Sequence, residues 1–389
     1  MERIVIIGSG QGGVQVAISL RQEGYEGQLT VIGAEPGLPY QRPPLSKAFL
    51  KTGDAEALRL RPATFFEKNG IELVDGVRVD RIDREARTVH AGERSFAYDH
   101  LILATGTRNM RPPIEGADRA LDLRTLEDAA RLRAALDTPK RCAVIGGGFI
   151  GLEFAAVARG LGHEVTVAEA ASRLMARAVS PETSAHFLTL HEGMGTTVLL
   201  GDPATGIDAN GMTLASGARI EADLVLMAAG VVPNTELAAE AGLAVDNGIV
   251  VDAQLLTDDP AISALGDCCA FPDPATGRLV RLESVQAATD HARLIAKRLV
   301  KGADASYAAV AWFWSDQADS KLQIAGLSSP ADDTVRRGDG AVFRFAGERF
   351  SAVETVNDAK THMQARKKLA FSPIQRSQLE AVDFDLAAL

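Results

Sequence analysis

Two glycine-rich turns carry the clearest indication of chemistry in this 389-residue chain. One spans residues 8–13 (Gly-Ser-Gly-Gln-Gly-Gly) and the other residues 146–151 (Gly-Gly-Gly-Phe-Ile-Gly). In such a turn the first glycine makes the bend, the second lets backbone N–H groups approach a pyrophosphate, and the last lets a helix pack on its strand. Two copies predict two bound dinucleotides and a hydride passed between them. The glycines concerned are Gly8, Gly10, Gly12 and Gly13 in the first turn and Gly146, Gly148 and Gly151 in the second.

Each turn is followed by an acidic residue near the end of the next predicted strand. Glu169 directly follows the predicted strand 164–168. A carboxylate at this place accepts hydrogen bonds from both ribose hydroxyls of a dinucleotide and repels a 2′-phosphate. This favours NADH over NADPH, although Arg173 and Arg177 lie near enough in sequence to soften the preference. Glu35 is the matching residue of the first turn, one place later than usual, and a solvated surface glutamate is the alternative interpretation.

The elements that must position these residues form a nested duplication. A strand at 3–7, a helix to about residue 23 and a strand at 28–33 make a βαβ unit, which the chain repeats after residue 141. The repeat predicts an α/β fold in which a second nucleotide domain, residues 108–235, is inserted into a first one, residues 1–107 and 236–308. Strand patterns and a basic helix at 358–369 predict a C-terminal α+β domain, residues 309–389.

The proline-rich segment 38–47 is predicted to be a loop without regular structure, because proline fixes φ and removes a donor.

Composition excludes several other classes of function. The net charge of −10 disfavours a nucleic-acid partner. The longest apolar run, residues 224–233, is about half of the roughly 20 residues that a bilayer span needs, so no membrane partner is expected. The N-terminus shows no secretory signal, which predicts a cytoplasmic protein. His186 and His191 are five residues apart, which does not support a metal site, and none is predicted.

Several further motifs resemble one family. They are residues 43–47 (Pro-Pro-Leu-Ser-Lys), 104–106 (Ala-Thr-Gly), 123–128 (Leu-Arg-Thr-Leu-Glu-Asp), 146–153, 266–268 (Gly-Asp-Cys), 283–285 (Glu-Ser-Val) and 312–317 (Trp-Phe-Trp-Ser-Asp-Gln). As a set they resemble the FAD-dependent NADH:ferredoxin reductases that serve oxygenases, over nearly the whole chain. The resemblance implies two Rossmann-like domains of the glutathione-reductase-like FAD/NAD(P) fold and a C-terminal α+β domain. Ala311 departs from the family, which usually has proline there.

The resemblance also implies roles for individual residues. FAD would bind at the first turn and NADH at the second. Lys47, paired with Glu153, would lie near flavin N5 and stabilise the charge that the hydride brings, and Trp314 would lie near the nicotinamide. The other FAD contacts implied are Glu35, Arg42, Val79, Thr105, Arg124, Asp267 and Val285. The other NADH contacts implied are Phe149, Ile150, Glu169, Arg177, Gly230 and Glu283.

The cysteines limit how electrons can leave. Cys142, Cys268 and Cys269 form no C-x-x-C pair, and no cysteine precedes residue 142, so disulfide-reductase chemistry is excluded. The resemblance implies single-electron transfer to a ferredoxin, of the [2Fe–2S] type, that feeds a cytochrome P450 or Rieske-type oxygenase. The basic residues considered for docking are Arg293, Lys297, Arg298, Lys301, Arg336, Arg337, Arg366, Lys367 and Lys368. Two alternatives stay open: an NADH oxidase or small quinone or radical reductase, and a redox-sensing interaction protein resembling apoptosis-inducing factor.

Overall fold

The computed structural model describes residues 1–371 and 373–389. The strands before residue 110 are β1 (Arg3–Ile7), β2 (Gln28–Ile32), β3 (Ile71–Val74), β4 (Arg81–Asp83), β5 (Thr88–Ala91), β6 (Arg94–Ala97), β7 (His100–Leu103) and β8 (Thr107–Asn109). Those from 141 to 280 are β9 (Arg141–Ile145), β10 (Glu164–Glu169), β11 (Thr197–Leu200), β12 (Ala204–Asp208), β13 (Gly211–Leu214), β14 (Arg219–Glu221), β15 (Leu224–Met227), β16 (Val231–Pro233), β17 (Ile249–Val250), β18 (Ile262–Ala264), β19 (Cys269–Pro272) and β20 (Leu279–Val280). The last are β21 (Trp312–Gln317), β22 (Ser320–Gly326), β23 (Asp333–Arg337), β24 (Ala341–Ala346) and β25 (Arg349–Val356).

The α-helices are α1 (Gln11–Glu23), α2 (Ala48–Thr52), α3 (Ala63–Lys68), α4 (Leu126–Ala135), α5 (Phe149–Gly160), α6 (Pro181–Gly193), α7 (Glu236–Glu240), α8 (Val285–Lys301), α9 (Ala359–Leu369) and α10 (Arg376–Ala381). The chain divides into two compact units by packing. The first unit comprises Met1–Gln41, Glu56–Arg108 and Val232–Ala309. The second unit comprises Arg42–Ala55, Asn109–Val231 and Val310–Leu389.

The first unit is built on a parallel sheet with strand order β18-β7-β1-β2-β3. Its inner strands are buried along almost their whole length, as expected for a parallel sheet that is covered on both faces. Helix α1 follows β1 through the first glycine turn and packs against α8. Strand β18 joins the sheet beside β7 although about 160 residues separate them, so the chain returns to this unit after a long excursion.

The second unit repeats the plan with a parallel sheet in the order β11-β10-β9-β15. Helix α5 follows β9 through the second glycine turn and packs on β9 and β10. The same unit contains an antiparallel sheet in the order β21-β22-β25-β24-β23, covered by α9. A single cluster of buried side chains includes Leu152 and Phe187 from the parallel-sheet part and Leu322 and Ile324 from the antiparallel sheet.

The structure confirms the predicted α/β architecture and the repeated βαβ unit. The prediction for the proline-rich segment was wrong in part: Pro43–Ser46 forms a short 3₁₀ helix and α2 follows it. Proline is compatible with the first turn of a helix because it needs no donor there. Helices α3, α6 and α10 and the β12-β13-β14 sheet were not predicted. The boundaries of the three predicted domains stay a prediction; by packing, residues 42–55 and 310–389 belong with the inserted segment.

Candidate functional site

The first glycine turn has the geometry of a pyrophosphate cradle. Gly8 has φ +112°, and a Cβ there would lie 2.1 Å from the Ala104 carbonyl oxygen. A Cβ on Gly13 would lie 1.8 Å from the Gly8 carbonyl oxygen, so both positions require glycine. At Gly10, in contrast, no described atom lies within 4 Å of where Cβ would be, and none of the described side chains caps α1. The uncapped backbone N–H groups at the start of α1 therefore face open space in which a phosphate could bind.

The surroundings of Gly12 differ from those of Gly10, beside which the space is open. Its Cβ would lie 2.3 Å from Leu265 Cδ1 and 3.6 Å from Ala288 Cβ. The absence of a side chain at Gly12 therefore leaves room for Leu265, the residue after β18, and any contact of Gly12 with a cofactor would come from its backbone.

The second glycine turn shows the same pattern of close contacts and open space as the first. Gly146 has φ +110°, and its Cβ would lie 2.3 Å from the Ala228 carbonyl oxygen. A Cβ on Gly151 would lie 2.2 Å from the Gly146 carbonyl oxygen, whereas the space beside Gly148 is open. The N-terminus of α5 also has no capping side chain from the described residues. Both turns thus fit the diphosphate of a dinucleotide.

Glu169 is held against the second turn by two backbone donors. Its Oε2 accepts from the Gly147 N–H at 2.6 Å, and its Oε1 accepts from the Ala171 N–H at 2.8 Å. A Cβ on Gly147 would lie only 3.2 Å from that carboxylate. The acidic residue predicted to select the ribose therefore also fixes the path of the glycine turn.

The two arginines near Glu169 have different roles. Arg173 donates to the carbonyl oxygens of Val179 at 2.7 Å and Ala176 at 2.6 Å and to Ser184 Oγ at 2.8 Å, so it supports the loop that leads to α6. Arg177 is exposed and forms no hydrogen bond or ion pair with the described residues. Its Nη2 lies 3.1 Å from the position that a Cβ on Gly230 would take. Only Arg177 therefore remains free to meet a ligand.

The acidic residue of the first unit has a partner of its own. The Glu35 carboxylate accepts a hydrogen bond from the Tyr40 hydroxyl. Farther along the same unit, Thr105 and Asn234 exchange two hydrogen bonds, from Thr105 Oγ1 to the Asn234 carbonyl at 2.7 Å and from Asn234 Nδ2 to the Thr105 carbonyl at 2.8 Å. Val79 packs, half-buried, on the hydrophobic core of this unit.

Asp267 and Glu283 are joined by a residue that the sequence prediction missed. Arg281 Nη1 donates to the Asp267 carbonyl oxygen at 3.2 Å and pairs with Glu283 at 2.7 Å. Thr107 Oγ1 also donates to Asp267 Oδ2, at 3.3 Å. Val285 begins α8, whose N-terminus is capped by Ser284. Arg281 gave no sequence signal, since a lone arginine before a helix cap is commonplace.

In the second unit the structure brings Lys47 and Glu153 together, as predicted. Lys47 Nζ lies 2.8 Å from Glu153 Oε2, and the Glu153 side chain is 3 % exposed. The same Oε2 accepts from Ser46 Oγ at 2.5 Å, and Oε1 accepts from Ser315 Oγ at 2.7 Å. The ammonium group of Lys47, whose side chain is 22 % exposed, is thus paired with a buried, fully hydrogen-bonded carboxylate.

Behind Ser315, more buried polar groups extend the network. Gln317 Nε2 donates to Ser315 Oγ at 3.3 Å, and Gln317 Oε1 lies 2.9 Å from His191 Nε2. Ser46, Ser315, Gln317 and His191 were not assigned roles from the sequence. A usable signal was present for two of them: Ser315 and Gln317 alternate along β21 at the two positions that point inward.

Other residues of this unit that were predicted to contact a cofactor lie in the loops at Arg42 and Arg124, on β21 and at the start of α5. Arg42 Nη1 donates to the Arg124 carbonyl oxygen at 2.7 Å, which joins two loops that were predicted to contact the FAD. Trp314 is half-buried beside Trp312, with ring centroids 5.6 Å apart. The Phe149 ring packs on Phe313 at 4.6 Å. Ile150, 43 % exposed, presents an apolar surface at the start of α5.

The cysteines are free and buried. Burial raises the pKa of the Cys142 thiol to about 12 and raises the pKa of Cys268 and of Cys269 as well. Such thiols stay protonated and are poor nucleophiles. Within residues 1–371 and 373–389, no group of three or more His, Cys, Asp or Glu side chains could hold a metal ion. None of the helices in this part of the chain has the length and apolarity needed to cross a membrane.

Comparison with known proteins gives the chain its family. The model of the family described as Pyridine nucleotide-disulphide oxidoreductase matches residues 2–292, and that described as Reductase C-terminal matches residues 312–389. Rhodocoxin reductase of Rhodococcus erythropolis is 50% identical over 98% of this chain and 93% of that protein. The ferredoxin–NAD(+) reductase component of the anthranilate 1,2-dioxygenase system of Burkholderia cepacia is 41% identical over 94% of this chain and 93% of that protein.

A solved structure shows the same similarity. The ferredoxin reductase for the CYP199A2 system from Rhodopseudomonas palustris has a TM-score of 0.95 and 44% identity, over 99% of this chain and 98% of that one. The resemblance inferred from the motifs is confirmed. The chain is an oxidoreductase and belongs to the pyridine nucleotide-disulphide oxidoreductase family, with the reductase C-terminal domain in addition.

Proposed function

We propose that the protein is an FAD-containing NADH:ferredoxin reductase. It takes a hydride from NADH and passes single electrons to a ferredoxin, of the [2Fe–2S] type, that feeds a cytochrome P450 or Rieske-type oxygenase. The observation that carries this proposal is the combination of two open glycine cradles with a Lys47–Glu153 pair and without an accessible thiol. When bound, the flavin supplies the conversion between two-electron and one-electron carriers.

The first glycine turn is assigned to FAD and the second to NADH. Both turns fit a diphosphate equally well, and the assignment rests on the order that the family motifs imply. Glu169, held at the second turn, favours NADH because a carboxylate at that place repels the additional phosphate of NADPH. The relative from Burkholderia cepacia is named for NAD(+), which supports the same preference.

Lys47 supplies positive charge to the site of hydride arrival. Its side chain is only partly exposed and its ammonium group is oriented by the buried carboxylate of Glu153, so little reorganisation is needed when negative charge develops nearby. Lysine suits this task because it is a compact point charge. Lys47→Met should therefore slow the reduction of the flavin by NADH without changing the amount of flavin bound.

Electrons leave without a sulfur relay. Positions 43–46, where disulfide reductases of this fold place a reactive cysteine near the flavin, hold Pro-Pro-Leu-Ser here. The cysteines of this chain are buried thiols with raised pKa values. Electrons must accordingly leave the flavin directly. The ferredoxin reductase from Rhodopseudomonas palustris supports a ferredoxin as the acceptor.

Two basic helices offer docking surfaces for an acidic ferredoxin. Lys297 on α8 and Lys367 on α9 are both exposed, and neither forms an ion pair with the described residues. Arg298, also considered from the sequence, was a wrong choice: it donates to the Gln254 carbonyl oxygen at 2.7 Å and to Ser263 Oγ, so it supports the fold. Arg337 is likewise engaged, in an ion pair with Asp383.

The assignment of the two cofactors can be tested with matched glycine variants. Gly10→Ala and Gly148→Ala each place a methyl group in open space at ordinary backbone angles, so neither disturbs the fold. We expect Gly10→Ala to lower flavin content, and Gly148→Ala to raise the KM for NADH at full flavin content. Gly193→Ala, in the last turn of α6 with equally open space, is the control and should change neither. Exchanged effects would reverse the assignment.

The electron acceptor can be tested by anaerobic reduction of cytochrome c by NADH with and without added [2Fe–2S] ferredoxin. Strong dependence on ferredoxin supports the proposal. Equal rates would favour a quinone or radical reductase, and flavin that is reduced but not reoxidised by either protein would favour a redox-sensing protein. Lys297→Glu should raise the KM for ferredoxin with NADH–ferricyanide turnover unchanged, whereas Lys68→Glu on α3 serves as the charge-matched control.

We also propose that the protein acts in the cytoplasm, where NADH is available to it.

A further inference from the structure

We infer that Ser315 is a positioning residue for hydride transfer, and that β21 thereby supplies part of the site around Lys47. The inference rests on the proposed function and deepens it. It assigns a role in the reaction to the C-terminal region, in addition to any role of that region in docking.

The geometry that carries the inference is a continuous line of buried groups. Glu153 lies between Lys47 on one side, 2.8 Å away, and Ser315 on the other, 2.7 Å away. Ser315 is fully buried, and so are Gln317 and His191 behind it. The line ends at His191 Nδ1, which has no hydrogen-bond partner in the described part of the chain.

The direction of each hydrogen bond follows from the chemistry of the groups. An ionised carboxylate only accepts, so Ser315 must donate its single proton to Glu153. Ser315 Oγ can then accept from Gln317 Nε2, which turns Gln317 Oε1 toward His191 and requires the proton of that imidazole to be on Nε2. Every donor along the line points toward Glu153. Bonds aligned in this way strengthen one another, and the bond to an ionised acceptor is the strongest.

His191 is suited to the end of such a line because it stays neutral. Burial lowers its pKa, although the hydrogen bond with Gln317 opposes that shift. A neutral imidazole with its proton on Nε2 keeps the order of donors fixed through the physiological pH range.

The effect on Lys47 follows from the sharing of Glu153. Ser46 and Lys47 both contact Oε2, so among the described residues only Ser315 holds the Oε1 end of the carboxylate. Without that bond the carboxylate can rotate about its last torsion, and the ammonium group that it orients moves with it. A displacement of about 1 Å in a positioning group can cost a reaction as much as a hundredfold. Ser315 therefore acts on the reaction through Glu153 and Lys47.

The test is anaerobic stopped-flow reduction of the holoenzyme by NADH. We expect Ser315→Ala to lower the limiting rate of flavin reduction about tenfold, as for loss of one hydrogen bond to a charged group, with the dissociation constant of NADH changed by less than about twofold. Ser315→Thr keeps a hydroxyl at the same place and should restore most of the rate. Ser351→Ala is the matched control, because Ser351 is also buried and donates to a carboxylate, that of Asp332, at 2.6 Å.

A double-mutant cycle separates positioning from a purely structural effect. In the Lys47→Met background, Ser315→Ala should change the rate by less than about twofold, because the group that it positions is gone. Equal losses in both backgrounds, or a loss in Ser351→Ala as large as in Ser315→Ala, would overturn the inference while leaving the proposed function intact. Failure of NADH to reduce the flavin of the unaltered protein would overturn the proposed function itself.

Discussion

Replacement of Glu169 by glutamine tests whether one carboxylate both selects the nucleotide and shapes the turn that binds it. Glu169 ends β10 and accepts from the N–H groups of Gly147 and Ala171. Glutamine has nearly the same shape but presents an NH₂ group in place of one oxygen. The NH₂ group would therefore face one of these two backbone N–H groups, and that N–H would lose its acceptor.

The magnitude follows from that single lost contact. A hydrogen bond to a charged group contributes about 1.5–3 kcal/mol, and a buried donor left without a partner costs about the same. A net loss of about 2 kcal/mol corresponds to roughly a 30-fold decrease in kcat/KM for NADH. The decrease for NADPH should be smaller, because the same substitution removes the negative charge that repels the 2′-phosphate. The preference for NADH should therefore weaken.

The assay is steady-state NADH–ferricyanide and NADPH–ferricyanide turnover, combined with flavin content from the absorbance of purified protein. Glu164→Gln is the control, because Glu164 begins the same strand and is exposed to solvent. It should change kcat/KM by less than about twofold, as surface substitutions usually do. Flavin content should be equal in all three proteins, since the Glu169 carboxylate accepts from Gly147 of the second glycine turn and from Ala171, and neither residue belongs to the first turn.

Two results would refute this reasoning. If Glu169→Gln stays within about threefold of the unaltered protein for NADH, the two backbone hydrogen bonds do not limit binding. If the substitution instead lowers flavin content, the assignment of the second turn to NADH is wrong.

Two further predictions concern stability. Glu354 forms a buried ion pair with Arg344 at 2.5 Å and accepts from the Ser180 N–H at 2.9 Å and Oγ at 2.7 Å, so Glu354→Gln should lower the free energy of unfolding by about 3–5 kcal/mol in urea titration. Recovery in the double variant with Arg344→Met would identify the stranded charge as the cause, and an unchanged midpoint for Glu354→Gln would contradict it. His100 and His291 are buried as neutral groups, and burial lowers the pKa of each to about 3. Because the unfolded chain binds a proton at each below the ordinary pKa of about 6.5 and the folded chain does not, stability falls by about 1.4 kcal/mol per pH unit for each histidine as the pH drops from 6.5 toward 3. Between pH 6 and pH 4 the urea midpoint of His100→Gln should fall less steeply with decreasing pH than that of the unaltered protein. An equal dependence on pH would contradict the conclusion that His100 is buried as a neutral group.

The glycine turns and the repeated βαβ unit could be predicted from the sequence because their signals are local. A turn that needs glycine at Gly8 and Gly146 leaves the same pattern in any chain, and a βαβ unit leaves the same periodicity twice. The pairing of Lys47 with Glu153 came from the family resemblance, since 106 positions separate the two and nothing local relates them. Only the fold brings such residues together.

The network behind Glu153 was missed, because the alternation of Ser315 and Gln317 along β21 was its main local signal. Ser315 and Gln317 are ordinary polar residues on a short strand, and their role depends on which face of β21 is buried. His191 lies on α6, a helix that was not predicted, although Ser180 and Pro181 give a usual start signal for it. For Arg298 the sequence predicted a functional role that the structure does not support. Its place on a basic helix suggested solvent exposure, but its guanidinium donates to the Gln254 carbonyl oxygen.

The second unit joins its C-terminal sheet to its inserted nucleotide fold by three different kinds of contact. A common apolar cluster contains Phe187 and Leu322, the Glu354 carboxylate binds the N-terminus of α6, and Ser315 binds Glu153. Packing supplies most of the stability of such a contact, whereas the buried polar bonds are satisfied in only one relative placement and so specify it. Because one of those bonds ends on the carboxylate that orients Lys47, a change that loosens this sheet should alter the rate of hydride transfer as well as stability. The C-terminal region and the candidate catalytic lysine are therefore expected to respond together to mutation.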